Sequence, residues 1–303
     1  MAFNFSVLIC TYNRHELLEK ALVSLVDKTT EKPDQLVVVN GGDERADKVV
    51  DLFRARTPIE VRLIKTVNKN LAASRNVGLS YCAGDIIAMT DDDAQVFPDW
   101  VTQMKKAHRE HSEAGAVGGL VLGTNLDSLV GKVADLITFP TWPDARFVRT
   151  LPGVNISYKR ERIKKIGFQD ETLFRGEDVD YNWRLLQQGD KIYFDPSIKV
   201  YHHHRPTPKA FLNQHYMYGR AYYLVRRKWP EMYCVYPHGI RSLKDILKLA
   251  NFILGLFYQP FLSGRPLLVW KDRLAALPLL FFSGVAWKTG MMIQAIKTKK
   301  TSP

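Results

Sequence analysis

Four short apolar runs near the start of the chain, Val7-Leu8-Ile9-Cys10, Leu36-Val37-Val38-Val39, Val61-Arg62-Leu63-Ile64 and Ile86-Ile87-Ala88-Met89, are separated by amphipathic stretches. Between the first two, Leu17, Leu18, Ala21, Leu22, Leu25 and Val26 recur at helical spacing. Val49, Val50 and Phe53 do so after the second run, and Leu71 to Tyr81 after the third. This alternation predicts βαβ units and an open parallel sheet covered by helices on both faces. In such sheets ligands collect beyond the carboxyl ends of the strands. The polar segments Thr11-Tyr12-Asn13, Asn40-Gly41-Gly42-Asp43 and Asp91-Asp92-Asp93 all fall at that edge and are expected to line one cleft.

Three consecutive carboxylates at the exit of a buried strand repel one another unless a counter-charge lies between them. On an extended segment Asp91 and Asp93 would share a side while Asp92 faces away. One reading is a site for a hard divalent cation, Mg²⁺ or Mn²⁺, completed by substrate phosphates. The other is a solvated acidic turn.

Beyond residue 115 the alternation loosens. Residues 115–123 suit a further strand and 126–144 form a mixed region with a Pro-rich loop. Pro152-Gly153-Val154-Asn155 suits a turn leading into a strand. Helices are expected over 159–166, ending at Gly167, and from Glu177 or Asp178 to Gln188, ending at Gly189.

Cys10, Cys82 and Cys234 are far apart, which excludes a close-spaced zinc or redox pair and suits a reducing cytoplasm. The N-terminus has no basic stretch before its first apolar run, so no cleaved export signal is expected. Of the net charge of +12, residues 238–303 carry +8, with ten Lys and Arg against Asp245 and Asp272. That segment is also rich in Leu, Phe and Trp, a mixture suited to an anionic membrane surface; no motif points to nucleic acid.

The segments Ser6-Val7-Leu8-Ile9-Cys10-Thr11-Tyr12-Asn13-Arg14, Leu71-Ala72-Ala73-Ser74-Arg75-Asn76-Val77-Gly78, Thr90-Asp91-Asp92-Asp93 and Gly176-Glu177-Asp178-Val179-Asp180, in this order, resemble glycosyltransferase family 2, the inverting nucleotide-sugar transferases. The resemblance spans roughly residues 4–220. It implies an α/β, GT-A (Rossmann-like), mostly parallel central sheet flanked by helices, followed here by a C-terminal helical membrane-associated tail. The domains are then 1–235, with a nucleotide-sugar half at 1–120 and an acceptor half at 121–235, and a tail at 236–303.

The family pattern further implies that Thr11, Tyr12, Asn13 and Arg14 form the nucleotide loop, with Tyr12 suited to stacking on the base. Arg75 is expected near base or phosphates, Asp91 and Asp92 near the nucleotide, and Asp93, with Asp91 and His202, at a Mn²⁺ or Mg²⁺ ion. Asn40 stands where the family usually has an Asp for the base; an amide both accepts and donates, which leaves the nucleotide open, although a UDP-sugar is favoured.

Asp178 is the family's general base, supported by Glu177. A helix N-cap is the competing role for it, worth only about 1 kcal/mol. Trp183 either walls the acceptor site or fills the core. In Tyr201-His202-His203-His204-Arg205, His202 aligns best as a metal or diphosphate ligand, with His204 and Arg205 as runners-up. Gln214 and Tyr218-Gly219-Arg220 are expected on a helix beside the cleft.

In the tail, residues 249–264 and 274–287 are uncharged, sixteen and fourteen positions interrupted by Pro260 and Pro278. A spanning helix needs about 20 apolar residues, so helices lying in the bilayer surface are expected, with a span over 274–296 as the alternative. The predicted function is metal-dependent transfer of a sugar to a saccharide or lipid-linked acceptor, on the inner face of the cell membrane. A sugar nucleotidyltransferase or a non-catalytic nucleotide-binding adaptor are the alternatives. The former lacks its Gly-rich, Arg-containing phosphate loop.

Overall fold

The computed structural model describes residues 3–232 and 242–300, with side chains through 298. The expected boundary at 235/236, Cys234 and Arg241 lie outside the described residues, as do the side chains of Lys299 and Lys300. The elements are β1 (Phe5–Thr11), α1 (His15–Leu22) continued by a π-helical turn (Val23–Asp27), β2 (Gln35–Asn40), α2 (Glu44–Arg54), β3 (Glu60–Lys65), α3 (Leu71–Leu79) and β4 (Ile86–Asp91). They continue with β5 (Ala94–Val96), α4 (Trp100–Glu110), β6 (Ala114–Gly123), α5 (Leu129–Ile137), β7 (Arg146–Val148), β8 (Ile156–Lys159), α6 (Arg160–Ile166), α7 (Glu177–Gln187), β9 (Lys191–His202), α8 (Pro208–Lys228), α9 (Leu243–Ser263) and α10 (Trp270–Lys300).

The chain packs as two compact units, 1–122 with 140–203, and 123–139 with 204–303. The first contains one sheet in the order β3-β2-β1-β4-β8-β6-β9-β5, with β7 on β9. β1, β2, β3 and β4 pair in parallel through helical crossovers, as their spacing predicts. β1 and β2 are buried along their whole length. The connections leave β1 toward β2 and β3 on one side and then return to place β4 on the other, so a topological switch point lies between β1 and β4.

The expected mostly parallel sheet therefore describes only this half. β8 runs antiparallel to β4 and β6, and β9 antiparallel to β5 and β7, giving a mixed sheet. Sequence periodicity had not indicated β9, in which Asp195 and Pro196 interrupt the apolar pattern, or α4, although Trp100, Val101, Met104, Ala107 and His108 recur there at helical spacing.

One buried amide serves several elements of the core. Trp100 Nε1 donates to Asn155 Oδ1 (2.8 Å), and Asn155 Nδ2 donates to the Leu120 and Ile198 carbonyls (both 3.0 Å). This one amide ties α4, β6, β8 and β9 together.

In the second unit Val133 and Ala134 of α5, Phe211 of α8, and Ala276 and Leu280 of α10 form a common core. Gln214 and Tyr218 lie on α8, where Gln214 Nε2 donates to the Tyr218 hydroxyl (2.7 Å). Because α5 and α8 pack with α10, this unit gathers residues from both sides of the boundary expected at 235/236. α9 and α10 extend past the uncharged stretches, since flanking charged residues continue each helix. Leu243–Ser263 and Trp270–Thr298 are both long and apolar enough to cross a membrane.

His108 on α4 is fully enclosed, 1% exposed. Its Nε2 lies 2.9 Å from Ser157 Oγ, which itself donates to the Val117 carbonyl (3.0 Å), so the imidazole proton sits on Nε2 and the ring is neutral. Burial pushes its pKa down to about 3. The unfolded chain takes up a proton near pH 6.5 that the folded chain refuses. This contribution to stability is thus complete above that pH and is lost as pH falls toward 3. Urea unfolding at pH 7 and pH 4.5 should show the native chain losing stability faster than His108→Gln, by up to about 1.4 kcal/mol per pH unit. Parallel losses in the two chains would disprove it.

Candidate active site

Strand register sets out the polar edge. Thr11 pairs with Asn40 across β1 and β2, and Cys10 pairs with Asp91 across β1 and β4, so three loops leave the sheet side by side at the switch point. After Asp91 the chain turns at 92–93 into β5, and the strict alternation expected of the acid run is broken. Asp92 does face away, inward and fully buried, accepting from Thr11 Oγ1 (2.8 Å) and Arg14 Nε (3.1 Å). Asp93, however, shares Arg14 with it: Nη1 is 2.7 Å from Asp93 Oδ2. Asp91 turns instead to Arg75. Burial pushes Asp92 up to about 7, with Arg14 opposing that rise. One guanidinium thus supplies part of the counter-charge that the run demanded.

The remaining oxygen of Asp93 meets the third histidine-bearing segment. Antiparallel pairing of β5 with β9 sets Ala94 opposite His202, which places His202 Nε2 3.4 Å from Asp93 Oδ1. A carboxylate and an imidazole suit Mn²⁺ or Mg²⁺. Among the described residues no group of three or more His, Cys, Asp or Glu side chains is assembled to hold an ion. The pair fits an ion whose shell is completed by diphosphate and water.

His204 departs from expectation. The strand ends at His202, so the shared face of an extended run does not persist, and His204 belongs to the second unit. There its Nε2 lies 3.1 Å from Asp135 Oδ1 on α5, while its backbone exchanges hydrogen bonds with the Asn125 side chain. Its role is to fix the chain onto α5.

Asn40 also differs. It is buried, with Nδ2 donating to the Asp43 carbonyl and to Asp47 Oδ1 (both 2.8 Å) and Oδ1 accepting from Gly42 N–H (2.8 Å). The amide shapes its own loop instead of presenting both functions outward. Asn13, at φ +54°, closes onto the same loop by accepting from Asp43 N–H (3.0 Å), and a Cβ on Gly42 would lie 2.3 Å from its Oδ1. This interlock leaves the Tyr12 ring half exposed.

Arg75 joins the acid run to the second carboxylate group. It is 3% exposed, and its Nη2 lies 3.0 Å from Asp91 Oδ1 while Nη1 lies 3.0 Å from Glu177 Oε1. Burial works against the guanidinium's charge, but Asp91 and Glu177 outweigh it and hold its pKa above the ordinary value. Glu177 is pushed up to about 7, by burial and then by Asp178, against the pull of Arg75.

Beside the guanidinium runs Gly153, where a Cβ would come within 2.6 Å of Nη1. Its N–H donates to Asp178 Oδ2 (3.1 Å). The Pro-Gly pair was legible as a turn, but nothing local announced its contact with Arg75. Asn76, the next residue of the same motif, accepts from Gln169 N–H (2.8 Å) and donates to the Gln169 carbonyl (2.9 Å), anchoring the segment that leads into α7.

Asp178 is not an N-cap. That position is Gly176, in a left-handed conformation and without a side-chain cap. Asp178 lies in the first turn, half-buried, with Oδ1 accepting from Val179 N–H (2.8 Å). Trp183, a turn further on, is half-buried, its indole N–H shielded from solvent and without a hydrogen-bond partner among the described residues.

Removing Arg75 would leave buried carboxylates without compensation. Arg75→Met should destabilise by roughly 3–5 kcal/mol in urea unfolding, and adding Glu177→Leu should recover a substantial part. Strict additivity of the two changes would show that the pair does not interact.

Against known proteins, the profile of the family described as Glycosyl transferase family 2 matches residues 6–145. A glucosyl-dolichyl phosphate glucuronosyltransferase of Haloferax volcanii is 27% identical over 214 residues, 65% of this chain and 68% of the relative. The dolichyl N-acetyl-alpha-D-glucosaminyl phosphate 3-beta-D-2,3-diacetamido-2,3-dideoxy-beta-D-glucuronosyltransferase of Methanococcus voltae is 21% identical over 297 residues, 91% of this chain and 92% of the relative. Among solved structures, a mannosyltransferase from Pyrobaculum calidifontis, in complex with GDP-Man and Mn²⁺, superposes with a TM-score of 0.62 at 16% identity, covering 97% of this chain and 85% of the other. The profile match over residues 6–145, the glycosyltransferase relatives and the four motifs in order along a mixed sheet support a family 2 glycosyltransferase with a GT-A fold.

Proposed function

We propose that this enzyme transfers a sugar, with inversion, from a nucleotide-diphosphate donor to a hydroxyl of a saccharide or lipid-linked acceptor, using Mn²⁺ or Mg²⁺. The observation that carries the reading is the Asp91–Arg75–Glu177 bridge with Gly153 beside it, because it holds Asp178 at the same edge as the acid run. The half-exposed Tyr12 ring offers a stacking face for a base, a UDP-sugar being favoured. Asp93 and His202 would hold the cation, with Asp91 close by. When bound, the ion would offset the charge of the departing diphosphate. Arg14 fixes the geometry of Asp92 and Asp93, and so acts on the donor through them.

Asp178 has one oxygen held by the Gly153 N–H and the other by Val179 N–H, which orients the carboxylate. It would take the acceptor's hydroxyl proton as that oxygen attacks the anomeric carbon. Trp183, on the same helix, is suited to wall the acceptor.

The reading extends to location: the cytoplasmic, inner face of the cell membrane, held by the second unit. Along α9, Ile246, Leu247, Leu254, Phe257 and Phe261 are exposed, and anionic lipid suits the basic charge around them. Two relatives named for dolichyl-phosphate substrates support a lipid-linked acceptor.

Thermal shift with nucleotide sugars, with and without Mn²⁺, tests donor and metal together. Asp93→Ala should lose the Mn²⁺-dependent stabilisation. Asp178→Asn should keep it and lose at least about 10²-fold in transfer rate. Undiminished turnover in Asp178→Asn would remove the base assignment.

A further inference from the structure

The helical second unit contains a cavity of about 410 Å³ that plays no part in the transfer chemistry above. That is the size of sites that enclose small ligands. Two of its walls are the facing sides of α9 and α10, which run antiparallel. Phe252 stands 6.3 Å from Trp287 at one end, and Phe257 stands 6.0 Å from Phe281 further along. Lys248 and Lys288 therefore lie at the same end of the cavity, while Leu256, Pro260 and Leu280 line it toward the other. From Phe252 to Pro260 the helix rises ~12 Å. The cavity thus has a cationic end and an apolar length.

Lys288 is half-buried, and its Nζ lies 4.4 Å from the Phe252 ring centroid and 5.9 Å from that of Trp287. Ring faces are its neighbours, and among the described residues no carboxylate pairs with it. Among the described residues Lys248 makes one distant ion pair, 3.8 Å to Asp245 within its own helix. A half-desolvated ammonium without an anion is costly, and a phosphate would offset that with charge-assisted hydrogen bonds. Leu247, Leu254 and Phe261 of α9 are exposed, so the apolar surface that would meet a bilayer is on the same helix as the cavity wall.

We propose that this cavity binds an anionic phospholipid, its phosphate between Lys248 and Lys288 and the first part of its chain along Leu256, Pro260 and Leu280. The proposal rests on the membrane association proposed above but asks for more: a saturable site for one lipid, where surface association requires only an apolar, basic face.

The test is calorimetric titration of the full chain with water-soluble short-chain phosphatidic acid, the matching phosphatidylcholine, and inorganic phosphate. Vesicle flotation with phosphatidylglycerol-containing membranes is run alongside. Phosphatidic acid should saturate at one per chain, phosphatidylcholine should bind at least about tenfold more weakly, and inorganic phosphate should not saturate in the same range. Lys288→Gln should weaken phosphatidic acid about tenfold. Gly284→Leu should abolish binding by filling the space, since a Cβ there already meets Leu256 Cδ2 at 3.3 Å. Both variants should float as the native chain does.

Unchanged affinity in Lys288→Gln, or inorganic phosphate binding as well as the lipid, would overturn the site. Should circular dichroism show Gly284→Leu to be unfolded, Lys288→Gln alone decides. Saturable lipid binding without flotation of the native chain would instead overturn the membrane reading and leave the site standing.

Discussion

A single buried guanidinium ties the two groups of acids together. Arg75 lies between Asp91 at the end of a parallel strand and Glu177 at the start of a helix far along the chain, 3.0 Å from each. Moving such a charge out of water is costly, and its partners make it tolerable only in a narrow geometry. That requirement fixes more than the pair itself. Gly153 has no side chain because the guanidinium occupies the space its Cβ would take, and the N–H of the same glycine orients Asp178.

A second cation manages the acid run. Three adjacent carboxylates invite a metal, but the fold answers part of their repulsion with Arg14, which meets Asp92 and Asp93 together. What is left for an ion is the far oxygen of Asp93 facing His202. This arrangement explains how an acidic turn can persist in the free enzyme. In the proposed reaction the protein would contribute few ligands to a divalent ion, and the substrate diphosphate the others.

Much of the first unit was legible before any coordinates. The runs ending at Cys10, Val39, Ile64 and Met89 became β1 to β4, and Gly167 and Gly189 lie just past α6 and α7 at positive φ. These features are local: a strand buried on both faces must be apolar throughout, and a helix stop is marked within a residue or two. Reading failed where local pattern was misleading. His202 and His204 were expected to share one face, with His204 a runner-up ligand, yet the strand ends between them and assigns them to different packing units. Asn40 looked like a base-reading group, yet its amide is engaged by two hydrogen bonds within its loop and one to Asp47 of α2.

By itself the sequence determined the parallel half of the sheet, the edge at which the polar loops emerge, and the two groups of acids that the family pattern singles out. It did so because periodicity and short motifs are properties of neighbouring residues. Only the tertiary structure decided which acid meets which cation. The β5–β9 register brings His202 to Asp93, and the packing of α3 carries Arg75 to Glu177 across 102 positions of chain. Those pairings depend on how distant segments align, and burial then makes each one obligatory by removing the water that could have replaced it.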